Sequence, residues 1–247
     1  MTKAFSYLYE GTIWKIDIHE LSGMLAIEWR DQDGLPYFSV IHYRSGRLLS
    51  DHIHYGGRWW TLAAVNTNQL FLQHYPQPNQ GQTQGLVAID IHSKQVTWEQ
   101  FNLQFVELTQ EGIAVKQRFS DTNAVSLLEP LSGSILENHT LLNKLSPLPR
   151  NIRSASPVHR TPPLPITSTL VGPYFFLETD GKELWAYHER KEDKLQLILT
   201  VIQEHNVQFK ECIVDRLDHL LPEVFFMVGQ QLFFVTNNKR EIVSYFV

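Results

Sequence analysis

The chain has 247 residues, 12% of them aromatic but only nine alanines, and a formal net charge of −5. That length accommodates a sizeable core in one or two domains, and abundant aromatics beside scarce alanine favour strands over helices. The mild acidity argues against general nucleic-acid binding, the lone Cys212 excludes an internal disulfide, and no apolar run approaches the ~18 residues of a membrane-crossing helix.

The opening, Met1-Thr-Lys-Ala-Phe-Ser-Tyr-Leu-Tyr-Glu, lacks a secretory apolar core, so a soluble cytoplasmic protein is expected. Phe5-Ser-Tyr-Leu-Tyr9 alternates as an isolated first strand. Residues 12–19 alternate strictly, with Ile13, Lys15 and Asp17 on one face and Trp14, Ile16 and Ile18 on the other, as a half-buried strand does. A turn at Leu21-Ser-Gly23 leads to a second strand at 24–29. The loop Asp31-Gln-Asp-Gly-Leu-Pro36 precedes strands at 37–43 and 48–52. A second set of four follows at 59–65, 70–74 and the hairpin 86–98, and a third at 105–108, 113–118, 124–128 and 134–136.

The pattern then stops. Pro147, Pro149, Pro157, Pro162, Pro163 and Pro165 crowd residues 137–165 beside Arg150, Arg153 and Arg160, which predicts a linker or long excursion, with one short helical turn at most near Asn143. Strands resume at Ile166. Residues 174–187 align without a gap on residues 232–245, matching Phe175 with Phe233, Phe176 with Phe234, Glu183 with Glu241 and Tyr187 with Tyr245. Asp180-Gly181 and Asn237-Asn238 are the expected turn pairs. Between the two copies lies a strand at 195–202. Residues 207–221 mix strand alternation at Val207, Phe209 and Glu211 with helical spacing at Ile213, Val214, Leu217, Leu220 and Leu221, which predicts an extra strand and then a helical turn. A further strand is expected at 223–228.

The hairpin Leu86-Val-Ala-Ile-Asp-Ile-His-Ser-Lys-Gln-Val-Thr-Trp98 recurs in looser form at 38–49 and 124–136. Self-similarity at roughly 40–60 residues predicts an all-β, single-domain, five-bladed β-propeller of four-stranded antiparallel blades spanning 1–247. The fifth blade has no fourth strand of its own, so residues 5–9 are expected to pair with residues 240–247, joining the first strand to the last blade and covering an exposed edge.

The 86–98 hairpin resembles the blade repeat of quinoprotein-like propellers of the PQQ type, in which an apolar strand ending in Asp is followed by a turn and a Trp. On Gly11-Thr-Ile-Trp-Lys15, Arg58-Trp59, Pro222-Glu-Val-Phe-Phe226 and Arg240-Glu-Ile-Val-Ser-Tyr245, the whole chain resembles a Bacteroidetes family of unknown function, a likeness that implies no activity.

Candidate chemistry is sparse. Asp51-His-Ile-His54 would set His52 and His54 on one strand face at a spacing that suits zinc or copper, but two ligands do not make a site. Asp31-Gln-Asp-Gly34 begins like a calcium loop whose closing glutamate is missing, His42 standing in the twelfth place. Trp98 reads as a residue packing one blade on the next, Cys212 as an inert thiol, and Asn138-His-Thr140 as a glycosylation sequon without a secretory context. Asp17 and Glu107 lie on innermost strands, where two carboxylates facing a central channel would suit a carbohydrate-processing enzyme. No phosphate loop, nucleophile elbow or metalloprotease helix occurs, and no cofactor is expected.

The expectation is therefore a non-catalytic binding or scaffolding module that recognises a protein or other macromolecule, monomeric, with no membrane or nucleic-acid partner. The alternative is an enzyme with a carboxylate-lined central channel. The long connections fall on one face of a propeller, and Arg and Trp are enriched among binding hot spots. The candidate binding residues are accordingly Arg58, Trp59, Trp60, Arg150, Arg153 and Arg160, with one of the two adjacent tryptophans exposed and the other in the core.

Overall fold

A computed structural model of the chain describes residues 1–75, 85–117, 125–136, 145–163, 169–236 and 238–247, and every regular element among them is a β-strand. The first is β1 (Thr2–Leu8). One antiparallel sheet is β2 (Thr12–His19), β3 (Met24–Arg30), β4 (Pro36–His42) and β5 (Arg47–Ile53). A second is β6 (Trp60–Val65), β7 (Gln69–His74), β8 (Leu86–Asp90) and β9 (Val96–Gln100). A third is β10 (Leu103–Leu108), β11 (Ile113–Gln117), β12 (Val125–Leu128) and β13 (Ile135–Leu136). These three follow chain order strand by strand, as the alternation predicts, and lie in one compact unit, Gly11–Arg150.

The second sheet is apolar on both faces because both are covered. Leu62, Leu72, Val87 and Ile89 pack with Ala26, Phe38, Val40 and Ile53 of the first sheet. Phe71, Leu86 and Ala88 pack with Leu108, Ile113 and Leu128 of the third. Trp98 does what its sequence context predicts: its indole Nε1 donates to the Pro130 carbonyl at 2.7 Å, which ties β9 to the turn after β12. The recurring hairpins are real repeats, each linking the third and fourth strands of its sheet, with Gly46, Lys94 and Gly133 holding the left-handed position of the turn (φ of 69°, 61° and 67°). The Asp31 loop is ordinary turn chemistry, its carboxylate accepting the amides of Asp33 and Leu35 at 2.9 Å each.

The other compact unit is Met1–Glu10 with Asn151–Val247, and it holds two five-stranded sheets. Strands β14 (Ile152–Ser154) and β15 (Ser156–Val158) lie in the proline-rich stretch. Next come β16 (Leu170–Thr179), β17 (Lys182–Lys191), β18 (Lys194–Gln203) and β19 (Asn206–Leu217), then β20 (Phe226–Val228), β21 (Gln231–Thr236) and β22 (Glu241–Phe246). The sheet orders are β15-β16-β17-β18-β19 and β14-β20-β21-β22-β1.

The internal repeat is exact in register: Phe175 faces Ala186 and Phe176 faces Trp185, as Phe233 faces Ser244 and Phe234 faces Val243. Asp180 and Gly181 have left-handed backbone in the first copy, as do Asn238 and Lys239 in the second, while Asn237 lies outside the described residues. The predicted pairing of the first strand with the last is present, with Phe5 opposite Ser244 and Leu8 opposite Glu241.

Three expectations are revised. Residues 152–158 are edge strands rather than linker, and Pro157 is tolerated because it sits on an edge, where no second partner needs its missing amide proton. The sheets of this unit have five strands rather than four: β14 and β15 join them from the proline-rich stretch, and β19 is the extra strand expected from residue 207 onward. No helical turn follows β19. The helical spacing of Ile213, Val214 and Leu217 comes from bulges, seen as register shifts between Leu195/Leu197 and Leu197/Ile198 and a left-handed Arg216 (φ 55°). Bulging lets the adjacent Ile213 and Val214 both be buried. Residues 76–84, Asn138-His-Thr140, Asn143 and Ile166 lie outside the described residues.

Candidate functional site

Within the Gly11–Arg150 unit, the predicted Arg58 and Trp59 stand in the connection between β5 and β6, and Trp60 is the first residue of β6. Alternation separates the two indoles as expected. Trp60 is 7% exposed, packed edge-on against Tyr55 with ring centroids 4.7 Å apart, while Trp59 is 36% exposed. The Arg58 guanidinium lies 5.3 Å from the centre of the Trp59 ring, a cation–π contact at the surface.

Two residues that the sequence pattern missed join this place. Trp14 is expected beside Ile16 and Ile18 on a half-buried face, yet it is 65% exposed. The cause is a β-bulge: Ile13 pairs with Trp29 but Lys15 pairs with Glu28, so Trp14 is the extra residue and is aimed at solvent. Arg30, at the end of β3, sits 4.9 Å over the Trp14 ring and donates through Nη1 to the Arg58 carbonyl at 3.0 Å. Trp14, Arg30, Arg58 and Trp59 thus gather at the end of the sheets where β2 and β6 begin and β3 ends.

Beneath them is a buried ionic clasp. The Glu28 side chain is wholly buried, and Arg30 donates to its Oε1 from Nε at 2.8 Å and Nη2 at 2.7 Å. Its Oε2 accepts from the Thr61 hydroxyl at 2.6 Å and the Leu62 amide at 2.8 Å. Lys15 reaches the Leu62 carbonyl at 2.6 Å, and Arg30 Nη2 the Trp60 carbonyl at 3.3 Å. A buried carboxylate is tolerated only when its lone pairs are answered, and here four donors answer them. The clasp joins the first sheet to the edge strand of the second and holds Arg30 in place under Trp14.

The other predicted arginines are placed differently. Arg150 is exposed and acts electrostatically on Asp17, whose Oδ2 accepts the Val65 amide at 2.9 Å; Val65 is the far end of β6 from Arg58. Arg153 and Arg160 belong to the other compact unit. Arg153 is engaged by its own unit, donating to the Glu178 carbonyl at 3.0 Å, the Thr179 hydroxyl at 2.8 Å and the Gly229 carbonyl at 3.5 Å. Arg160 lies 3.8 Å over the Phe176 ring and 5.2 Å over that of Trp185. Of the six candidates, Arg58, Trp59 and Trp60 are therefore neighbours, with Arg150 at the opposite end of the same strand.

Asp17 is pushed above its ordinary carboxylate range chiefly by burial, against the opposing pull of the Val65 amide and the charges of Arg150 and Lys15. The histidines of 51–54 do not form a chelate. A bulge gives His52 a left-handed backbone (φ 53°), and its ring abuts Trp29 at 5.0 Å, while His54 Nδ1 is 2.9 Å from the Pro36 carbonyl. Among the described residues, no group of three or more His, Cys, Asp or Glu is placed to hold a metal ion, and no helix is long and apolar enough to cross a membrane.

The model of a domain of unknown function (DUF4905) matches residues 18–98, which run from the end of β2 to β9 and include Glu28, Arg30, Arg58 and Trp59. No curated protein matches the chain. Among solved structures, BamB from Moraxella catarrhalis is similar at 8% identity and a TM-score of 0.34, covering 94% of this chain and 84% of that one. The β-propeller domain of the Trilobed protease from Pyrococcus furiosus, described as having an open velcro topology, is similar at 11% identity and a TM-score of 0.37, covering 94% and 66%. A chain from a study of two prolyl endopeptidases is similar at 13% identity and a TM-score of 0.34, covering 95% of this chain and 32% of that one. At those scores the likenesses carry no argument about activity.

Proposed function

We propose that this chain is a non-catalytic binding or scaffolding module that recognises a macromolecular partner, a protein, through the Trp14–Arg30–Arg58–Trp59 surface. The observation that carries the reading is that two exposed tryptophans, each in cation–π contact with an arginine, stand on a hydrogen-bonded frame. Trp and Arg supply most of the large truncation effects in protein interfaces, and a frame that is already ordered reduces the entropy lost on binding. In this reading the five sheets are the quinoprotein-like blades of one propeller, with β1 closing the ring, and the surface lies on its long-loop face. The protein is a cytoplasmic monomer that needs no cofactor, membrane or nucleic acid. Arg150, in the same unit, then serves as peripheral positive charge.

A second reading, an enzyme with a carboxylate-lined central channel acting on carbohydrate, draws on Asp17, since a buried carboxyl with a raised pKa is a trait of acid–base catalysts. Against it, Asp17 already accepts the Val65 amide, a structural role.

The test is capture from native lysate with wild type, with Trp14→Ala/Trp59→Ala, and with Asp17→Asn, each checked for an unchanged melting temperature. Loss of the specific partners from the tryptophan variant alone supports the binding reading. Equal recovery by all three proteins overturns it.

A further inference from the structure

At the opposite end of the same sheets, where the tight turns lie, the first and second sheets enclose a cleft of about 400 Å³. His42, Ser45 and Arg47 line it from the β4–β5 hairpin, Thr67 and Asn68 from the β6–β7 turn, and His92 from the β8–β9 turn. Its remaining lining is apolar, Met24 and Leu49. We propose that this cleft binds a small molecule with an apolar body and an anionic head, a carboxylate or a phosphate ester.

Three observations carry the inference. The first is charge. Every polar side chain lining the cleft can donate a hydrogen bond, and no carboxylate is among them, although the chain as a whole carries −5. Asp90, which begins the turn that carries His92, already accepts from the amides of His92 at 3.1 Å and Ser93 at 2.7 Å and from the Ser93 hydroxyl at 2.8 Å. An arginine with two imidazoles and hydroxyl and amide donors is the donor set that recognises an oxyanion.

The second observation is order. The Ile91 amide donates to the Asn68 carbonyl at 2.9 Å, which pins the β8–β9 turn to the β6–β7 turn. The Asn66 side chain accepts the amides of Asn68 at 2.9 Å and Gln69 at 2.7 Å, and His42 Nδ1 is 2.8 Å from the Ser45 hydroxyl. The turns that carry the donors are held before any ligand arrives, which lowers the cost of binding.

The third observation is shape. The volume lies in the range of small-molecule sites, which combine apolar lining with a few convergent polar groups. Met24 and Leu49 supply the apolar part, so a bare inorganic ion would leave it unused.

The experiment uses the full chain and four probes, phenyl phosphate, benzoate, benzyl alcohol and inorganic phosphate, followed by amide chemical shifts and calorimetry. Phenyl phosphate or benzoate is expected to shift the amides of Asn68 and His92 and to bind at least about tenfold more tightly than benzyl alcohol or inorganic phosphate. The stronger of the two identifies which anionic head is preferred. The double variant Arg47→Gln/His92→Gln, both exposed positions, is expected to weaken that binding by about tenfold or more with the melting temperature unchanged. No saturable binding of either anionic probe, or equal binding by the double variant, overturns the proposal. Neither result bears on the Trp14 and Trp59 surface, so the two readings stand or fall separately.

Discussion

The Arg240 guanidinium donates to the carbonyl oxygen of Tyr9 from Nε at 3.2 Å and Nη2 at 3.1 Å, and the Tyr9 amide donates to the Arg240 carbonyl at 2.8 Å. These bonds end the pairing of β1 with β22, which the Ser6 hydroxyl and the Glu241 carboxylate also bridge. Phe5 is 8% exposed, its ring 6.1 Å from that of Phe233. The first strand is thus a structural member of the last sheet. Phe5→Ala is expected to cost about 3 kcal/mol through the cavity it leaves. Deletion of residues 1–10 is expected to cost more, because it also uncovers the β22 edge. Urea unfolding checks both, and an unchanged midpoint for the deletion would show the strand to be dispensable.

Glu28 is the second test. Replacing it with Ala removes the acceptor of four hydrogen bonds and leaves Arg30 without its counter-charge. A loss of about 3 kcal/mol is expected, the lower end for breaking a buried pair, since Arg30 keeps some access to solvent. Glu28→Gln keeps an acceptor and should lose less. Because Arg30 underlies Trp14, the Ala variant is also expected to shift Trp14 fluorescence.

Two glycines with similar backbone angles make a controlled pair. A Cβ on Gly133 (φ 67°) would meet the Trp98 ring at 2.5 Å, whereas one on Gly181 (φ 71°) would meet nothing within 4 Å. Gly181→Ala is expected to cost only about 1 kcal/mol of left-handed strain. Gly133→Ala adds overpacking of about 1–3 kcal/mol and displaces the indole that bonds to Pro130. Equal losses in thermal or urea unfolding would remove Trp98 from the account.

His188 on β17 sets a pH dependence. It is buried, its Nε2 accepts the Leu221 amide at 3.1 Å, and burial pulls its pKa below the ordinary 6.5. The unfolded chain therefore takes up a proton that the folded one refuses. This contribution to stability is present above pH 6.5 and is lost as pH falls toward the depressed folded value. His188→Gln retains an acceptor for Leu221 and is expected to lessen the drop in urea midpoint between about pH 7 and pH 5. Burial lowers His19 and His74 as well, so a residual slope is expected. A slope identical to wild type would show that His188 does not titrate with unfolding.

What the sequence determined by itself is the local part. Alternation places most strands within a residue or two, from β2 at Thr12–His19 to β22 at Glu241–Phe246, because side chains in a strand repeat every two residues whatever the partner. The repeat of 174–187 in 232–245 carries register as well as strand type, since the intervening turn sets how two adjacent strands align. That one of Trp59 and Trp60 is exposed and the other buried follows from the same period of two, while the structure decides that Trp59 is the outer one. The tertiary structure decided everything that depends on a partner distant in the chain. Trp14 is turned outward by a bulge against β3, and the helical spacing around Ile213 is a bulged strand against β18. The proline-rich residues 152–158 become edge strands because β20 and β16 offer them an open side. Glu28 reads as a polar residue in a strand, and only the arrival of Thr61 and Leu62, more than thirty residues later, makes its burial tolerable. A bulge or a buried charge is set by hydrogen bonds between strands, and those bonds leave no trace in the spacing of either strand alone.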